Sequence, residues 1–195
     1  YAANEEKTEL SRHTDLLGSA LQYVTQDGKT DLGRLVSGIN CTPDTAQEVM
    51  TATKQQFGKT GGTMAFHGYQ SFKAEEVDAE TAHAIGVELA TKLWGNDFQV
   101  VVATHCNSGH YHNHFVLNSV SIMDGHHFDN TQADYKAMRE MSDALCRKYR
   151  LSVIENPRDH GRNYAEYSAE KIENRYQEAL EAYVKQIEDN ERSIE

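Results

Sequence analysis

Long apolar runs are missing from this chain. Nowhere in its 195 residues does a stretch reach the length needed to span a bilayer, and no apolar leader opens it, so membrane insertion is not expected. Cysteine is scarce: Cys41, Cys106 and Cys146 form neither a CxxC pair nor an evenly spaced framework, which suits a reducing cytoplasm rather than a disulfide scaffold. Proline occurs only twice, and no low-complexity linker separates domains. Positive charge is short as well: 19 Lys and Arg stand against 30 Asp and Glu, a net charge of −11. That balance speaks against holding nucleic acid through a broad basic face. The deficit is uneven, because from Tyr164 onward nine acidic residues face four basic ones. A metal ion would also bring its own positive charge to a phosphate, so chemistry on nucleic acid stays open. The first residue is Tyr rather than Met, which reads as a processed or excised fragment. The length fits one domain with a real core plus an appendage, and we place these at residues 1–160 and 161–195.

What is present alternates helices with strands. Leu16, Leu17, Ala20 and Val24 give an apolar stripe to a helix from Leu10 to about Gln26, ended by Asp27-Gly28. Leu35–Ile39 reads as a strand. Thr42-Pro43 supplies an N-cap and a first-turn proline for a helix through Phe57, closed by Gly58. Thr63–Phe72 is strand-like. Asp78 caps a helix in which Ala82, Ile85, Leu89 and Leu93 recur at helical spacing up to Gly95. A helix from about Gln132 to Tyr149 carries Tyr135, Met138, Ser142, Leu145 and Tyr149 on one face. Leu151–Ile154 reads as a last short strand, and Tyr164 to about Asn190 as a long charged C-terminal helix. Helices interleaved with hairpin-connected strands predict an α+β fold, a central and mainly antiparallel sheet with helices packed on it.

The densest chemistry lies in residues 105–118, His-Cys-Asn-Ser-Gly-His-Tyr-His-Asn-His-Phe-Val-Leu-Asn, which hold four of the ten histidines. The run Val100-Val101-Val102-Ala103 precedes it. With Ser108-Gly109 as a two-residue turn, the pattern is a β-hairpin in which Asn107 pairs with His110, His105 with His112, and Ala103 with His114. Opposed residues on an antiparallel pair lie about 4.5–5.5 Å apart at Cβ, and alternate residues share a face. His105, His112 and His114 therefore converge, with His110 toward the turn. Three imidazoles on one face suit a divalent ion with coordination positions left open. Phe98, Val100, Val102, Phe115 and Leu117 form the opposite, core-facing side. His126 and His127 lie beside the turn Asp124-Gly125 into which the second strand runs at Met123, and they read as solvated. His13 and His83 sit on helices without an assigned role.

With these residues in place the chain resembles the relaxase (mobilisation nuclease) domain of the MobP, VirD2-like type, within the HUH endonuclease superfamily. The stretches that carry the likeness are Leu21-Gln22-Tyr23-Val24 followed by Lys29-Thr30, then Leu35 to Cys41, His67-Gly68-Tyr69-Gln70-Ser71-Phe72, the His105 to Asn118 block, and Ser142 to Cys146. They fall in the family's order across most of residues 10 to 160. One departure is visible. Many members carry His-x-Asp where this chain has His105-Cys106-Asn107, and an Asn can orient a histidine but cannot act as a base.

The resemblance implies an HUH relaxase fold and a metal-dependent enzyme that nicks one DNA strand at an origin of transfer. Tyr23 would be the nucleophile, leaving a 5′-phosphotyrosine and a free 3′-OH. A covalent intermediate keeps the phosphoester energy for rejoining, so no nucleotide cofactor is needed. His105, His112 and His114 would hold Mn²⁺ or Mg²⁺, with Mn²⁺ favoured in vitro because Mg²⁺ prefers oxygen ligands. His67, Asn107 and His110 are candidates for orienting ligands or moving protons. Lys29, Arg34, Gln70, Ser71 and Tyr111 are candidates for contact with DNA, Tyr111 equally for packing, since strand parity turns it away from the ligands. The implied partners are single-stranded origin DNA, with a hairpin beside the nick, and the accessory and coupling proteins of a bacterial transfer machinery in the cytoplasm. Three other readings remain open at this level. The first is an HUH replication initiator or transposase, although there the tyrosine usually follows the histidines. The second is an accessory module that binds metal or DNA without catalysis. The third is a simple metallohydrolase, for which the hairpin offers no carboxylate base.

Overall fold

In the computed structural model, residues 17–31, 33–106 and 110–154 are described. Four strands form one antiparallel sheet, β1 (Val36–Ile39), β2 (Ala65–Ser71), β3 (Val100–His105) and β4 (His112–Asn118), in the order β1-β3-β4-β2. Residues 17–24 are helical (α1); α2 covers Ala46–Gln56, α3 Ala79–Trp94 and α4 Gln132–Lys148. This is the α+β architecture the alternating pattern predicts. The C-terminal extension, including the expected boundary at 160 and the expected terminal helix, lies outside the described residues.

The order follows from where the apolar side chains go. In β3 every residue is buried, and in β4 the five from Asn113 onward except His114 are buried as well, as expected of central strands covered on both faces. On one face, which we call the back, Phe98, Val100, Val102, Phe115 and Leu117 pack with Ala82, Ile85 and Leu89 of α3 and Leu145 and Cys146 of α4. On the front, Val101, Ala103 and Val116 pack with Leu17, Leu21 and Val24 of α1 and Ala46 and Met50 of α2. The sheet is thus sandwiched, and its front changes from apolar to histidine toward the hairpin end of β3 and β4.

Local signals account for most helix ends. Asp78 accepts from the Thr81 backbone N–H at 2.7 Å and caps α3. Thr131 and Asp134 form a reciprocal capping box at the start of α4. Four expectations are corrected. The helix expected from Pro43 begins as a 3₁₀ turn, Pro43–Thr45, and becomes α-helical only at Ala46; Thr42 spends its hydroxyl on Thr45 Oγ1 at 2.7 Å rather than on a backbone N–H. β4 stops at Asn118 instead of running to Met123, because the backbone beyond it bonds elsewhere, Ser119 N–H to the Met64 carbonyl and Ser121 N–H to the His126 carbonyl, and an isolated bridge, Val120 with His127, follows. Leu151–Ile154 is not a strand. Its backbone is satisfied elsewhere, Leu151 by the Cys146 carbonyl that ends α4 and Ser152 by the Glu76 carboxylate. Tyr135, expected on the packed face of α4, is exposed.

At the far end of β4 from the histidines sits a polar knot that the pattern did not suggest. Lys54 of α2 is buried and donates to Asn118 Oδ1. Asn118 Nδ2 donates to Gln99 Oε1 at 2.7 Å, and Thr53 Oγ1 donates to the same oxygen at 3.2 Å. Burial, with no carboxylate partner among the described residues, pulls the Lys54 ammonium down to about 8.

Candidate metal centre

β3 and β4 carry the histidines in the register read from the sequence: His105 opposite His112, and Ala103 opposite His114. The turn residues Asn107, Ser108 and Gly109 lie outside the described residues, so neither the expected turn nor the Asn107–His110 pairing is assessed. His105, His112 and His114 each present a ring nitrogen, and these three atoms lie within 4.8 Å of one another. Two nitrogens bonded to one ion at about 2.0–2.2 Å sit no more than about 4.4 Å apart, so small ring rotations close the set around a cation.

The hydrogen bonds decide which nitrogens are available. His105 is 2% exposed, and its Nε2 lies 2.8 Å from the Val24 carbonyl. A carbonyl only accepts, so Nε2 carries the proton and Nδ1 keeps its lone pair for a ligand role. Val24 ends α1, and its carbonyl has no helical donor to meet, so this contact also closes the helix. In His114, Nδ1 lies 2.8 Å from Nε2 of His67, while Nε2 is buried without a hydrogen-bond partner among the described residues. An orphaned buried acceptor is costly in a fold that needs nothing there. It is the expected appearance of a metal ligand aimed at its ion, with Nδ1–H donating to His67. The rings of His67 and His114 are parallel to within 6° at a centroid spacing of 5.0 Å, so the contact with His67 holds the His114 ring plane, and in the ligating tautomer of His114 it is Nδ1–H that donates to His67.

Electrostatics keep the cluster neutral. Burial, then the charges of His105, His67, His112 and Lys29, pushes His114 down to about 3. Burial likewise lowers His105, His112 and His67. Neutral imidazoles are the form that binds metal. The donor set therefore fits a divalent cation, with ligands from one side only.

Tyr23, at the C-terminal end of α1, stands over this cluster. Its ring is edge-on to His105 at 6.1 Å and to His114 at 6.2 Å between centroids. Lys29 Nζ lies 3.6 Å from the Tyr23 ring centroid. Tyr23 is 55% exposed.

The other expected residues divide. Ser71, on β2, pairs with His112 and is exposed on the histidine face. Exposed His110 sits near the turn with its ring 5.5 Å from that of His112. Arg34 is exposed but spends its guanidinium on Asp31 at 3.0 Å and Glu80 at 3.3 Å. Tyr111 packs against the back core, as parity implied. Gln70 is corrected: expected as a candidate DNA contact, it is buried on the back, paired with Asn113.

Gln70 instead belongs to a hydrogen-bond chain behind the ligands. Thr104 Oγ1 donates to Asn113 Oδ1 at 2.6 Å. Its proton is thereby used, so it accepts from His83 Nδ1 at 2.8 Å, and His83 Nε2 accepts from Ser37 Oγ at 2.7 Å. Asn113 Nδ2 donates to Gln70 Oε1 at 3.0 Å and to the Ala82 carbonyl at 2.8 Å, and Gln70 Nε2 donates to Ser142 Oγ at 2.7 Å. A Cβ at Gly86 of α3 would overlap the Asn113 carboxamide. His83 and Thr104 were missed from sequence, since a histidine on a helix and a threonine in a strand carry no distinguishing pattern.

A family model described as relaxase, MobA/VirD2-like, nuclease domain matches residues 23–151, beginning at Tyr23. A protein rlx of Staphylococcus aureus is 33% identical over 160 residues, 82% of this chain and 50% of the relative. The group II intron-interrupted relaxase LtrB of Lactococcus lactis subsp. cremoris is 24% identical over 88% of this chain and 38% of its own length. The protein TraI of Escherichia coli is 31% identical over 132 residues, 65% of this chain but 17% of that protein. The chain therefore spans half or less of each of these relatives. No solved structure matches it. A sheet that gathers three neutral imidazoles beneath an exposed tyrosine, in a chain matched over residues 23–151 by this model, belongs to the MobA/VirD2-like relaxase family, in its nuclease domain.

Proposed function

We propose that this domain nicks one strand of DNA at an origin of transfer by transesterification, with Tyr23 as nucleophile and His105, His112 and His114 as metal ligands. The observation that carries the reading is the approach of the Tyr23 ring to His105 and His114, 6.1 and 6.2 Å between centroids, on the imidazole cluster whose His114 Nε2 is left without a partner among the described residues. Tyr23 Oη forms a bond to the scissile phosphorus as the P–O3′ bond breaks. The phenolic proton leaves to solvent and the departing 3′ oxygen takes one up. The products are a 5′-phosphotyrosine and a free 3′-OH, and reversal rejoins the strand without a nucleotide cofactor.

A bound divalent cation supplies Lewis-acid polarisation of the scissile phosphate and charge stabilisation in the transition state. Three imidazoles favour Mn²⁺ over Mg²⁺, which prefers oxygen. His67 holds His114 in its ligating tautomer, the orienting one of the roles considered for it from sequence. Lys29 and Ser71 face the same side as the histidines and contact the phosphate backbone. The substrate is a single strand of origin DNA beside a hairpin, met in the bacterial cytoplasm with accessory and coupling proteins of the transfer machinery.

The test is a covalent protein–DNA band on a denaturing gel after incubation with origin-strand oligonucleotides and Mn²⁺ or Mg²⁺. The band is expected from the wild type and lost with Tyr23→Phe or a chelator. A band that survives Tyr23→Phe removes Tyr23 as nucleophile. Metal binding without any band leaves the accessory-module reading.

A further inference from the structure

Tyr69 is the most exposed aromatic side chain among the described residues, at 69%. Single exposed aromatics are common and ordinarily need no account. This one stands in the metal row. Tyr69 pairs with His114 across β2 and β4, so it projects from the front of the sheet one strand spacing, about 4.8 Å, from a ligand. Along β2 it is flanked on the same face by His67, which orients His114, and by exposed Ser71. Among the described residues β2 is an edge strand, paired only with β4, so the ring is open on its outer side. Tyr23, the other aromatic on this face, is already engaged with Lys29 and two histidines. Tyr69 makes no ring contact or hydrogen bond among the described residues.

A flat, bare ring on a strand beside a phosphate-handling centre is how proteins hold unpaired bases: every base offers a π-face, and stacking on it is tolerant of sequence. We infer that Tyr69 is a stacking platform for an unpaired DNA base of a nucleotide flanking the scissile phosphate, an inference that rests on the relaxase reading of the same site. The chain's acidity strengthens the need for such a contact, because a protein with a net charge of −11 gains little from nonspecific attraction to the backbone. The stack fixes the register of the strand over Tyr23 and selects single-stranded over duplex DNA, whose bases are stacked on one another.

The experiment uses the Mn²⁺-loaded chain with Tyr23→Phe, which stops covalent capture, and oligothymidylate carrying one 2-aminopurine at successive positions. Quenching of the 2-aminopurine at a defined position is expected. Tyr69→Ala abolishes it and weakens binding roughly 5- to 100-fold, the effect of deleting one base–aromatic stack, whereas Tyr69→Trp retains both. Excess duplex DNA does not compete. Equal affinity and unchanged quenching in Tyr69→Ala overturn the proposal, as does equal competition by duplex. With Tyr23 restored and origin-strand oligonucleotides as substrate, covalent adduct formation by Tyr69→Ala shows a raised KM at near-normal kcat. Tyr69-dependent quenching without any adduct from the Tyr23 protein sinks the transesterase chemistry and leaves the stacking platform standing. Adduct formation with an unchanged KM in Tyr69→Ala removes the platform and leaves the chemistry.

Discussion

His114 and Asn113 are neighbours on β4, one facing the front of the sheet and the other the back, and they answer opposite questions. On the back, Asn113 is fully occupied: its carbonyl oxygen accepts from Thr104, and its amide nitrogen donates to Gln70 and to the Ala82 carbonyl. Donors and acceptors there follow one direction, from Ser37 through His83 and Thr104 to Asn113, Gln70 and Ser142. On the front, His114 is half-buried as a residue, yet its Nε2 is buried and meets nothing among the described residues. A buried polar group that is satisfied holds structure in place, whereas one left open has to be explained by a ligand. The comparison separates structural from chemical polarity within two adjacent residues.

The largest effect should come from the front. His114→Ala or His105→Ala removes a ligand, and Mn²⁺ affinity by titration calorimetry should fall by more than the roughly 100-fold that loss of an outer partner can cost, with the covalent adduct lost alongside. For His114→Ala, stability in the metal-free state should change little, which tells a ligand from a structural histidine, whereas His105→Ala also loses the bond to the Val24 carbonyl and should cost stability besides. The back answers through stability. Gly86→Ala drives a Cβ into the Asn113 carboxamide and should destabilise the domain by about 1–3 kcal/mol in urea unfolding. If Gly86→Ala unfolds at the wild-type midpoint, Asn113 is not held as tightly as its contacts imply.

A smaller effect separates His67 from the ligands it supports. His67→Ala should weaken Mn²⁺ binding about 10-fold, and His67→Gln, whose carbonyl can still accept from His114 Nδ1–H, should recover part of the loss. Equal loss in both variants would mean that His67 acts through packing alone. The smallest effect is in pH. Burial lowers His83 from its ordinary 6.5, and a proton on Nε2 would turn the acceptor for Ser37 into a second donor. The unfolded chain therefore binds more protons below pH 6.5, and stability falls as pH drops from 6.5 through the lower folded-state value. The difference in unfolding free energy between wild type and His83→Leu should narrow over that range. A constant difference would show that His83 does not titrate on unfolding.

Much of this was written locally. Alternation along Val100–His105 and His112–Asn118 fixed which side chains share a face, because a strand's period of two leaves no freedom once a hairpin register is set, and so the metal row was legible before any fold. Asp78, Thr131 and the apolar spacing of α3 and α4 set helix ends for the same local reason. Where side chains had a choice of partner, the sequence was silent. Gln70 and Ser71 look alike on a strand, yet one is buried on the back and the other lies open on the front, since α4 packs over Gln70 and takes its amide through Ser142. The hydroxyl of Thr42, the turn of Asn118 toward buried Lys54 and the inward role of His83 depend on residues dozens of positions away. The sequence by itself determined the strand parity, the convergence of His105, His112 and His114, and the candidacy of Tyr23. The tertiary structure alone decided that α1 brings Tyr23 over those imidazoles, that His67 meets His114 Nδ1, and that Asn113 finds partners for its amide while His114 Nε2 finds none among the described residues, because hydrogen bonds between distant elements exist only once the sheet and its helices have packed.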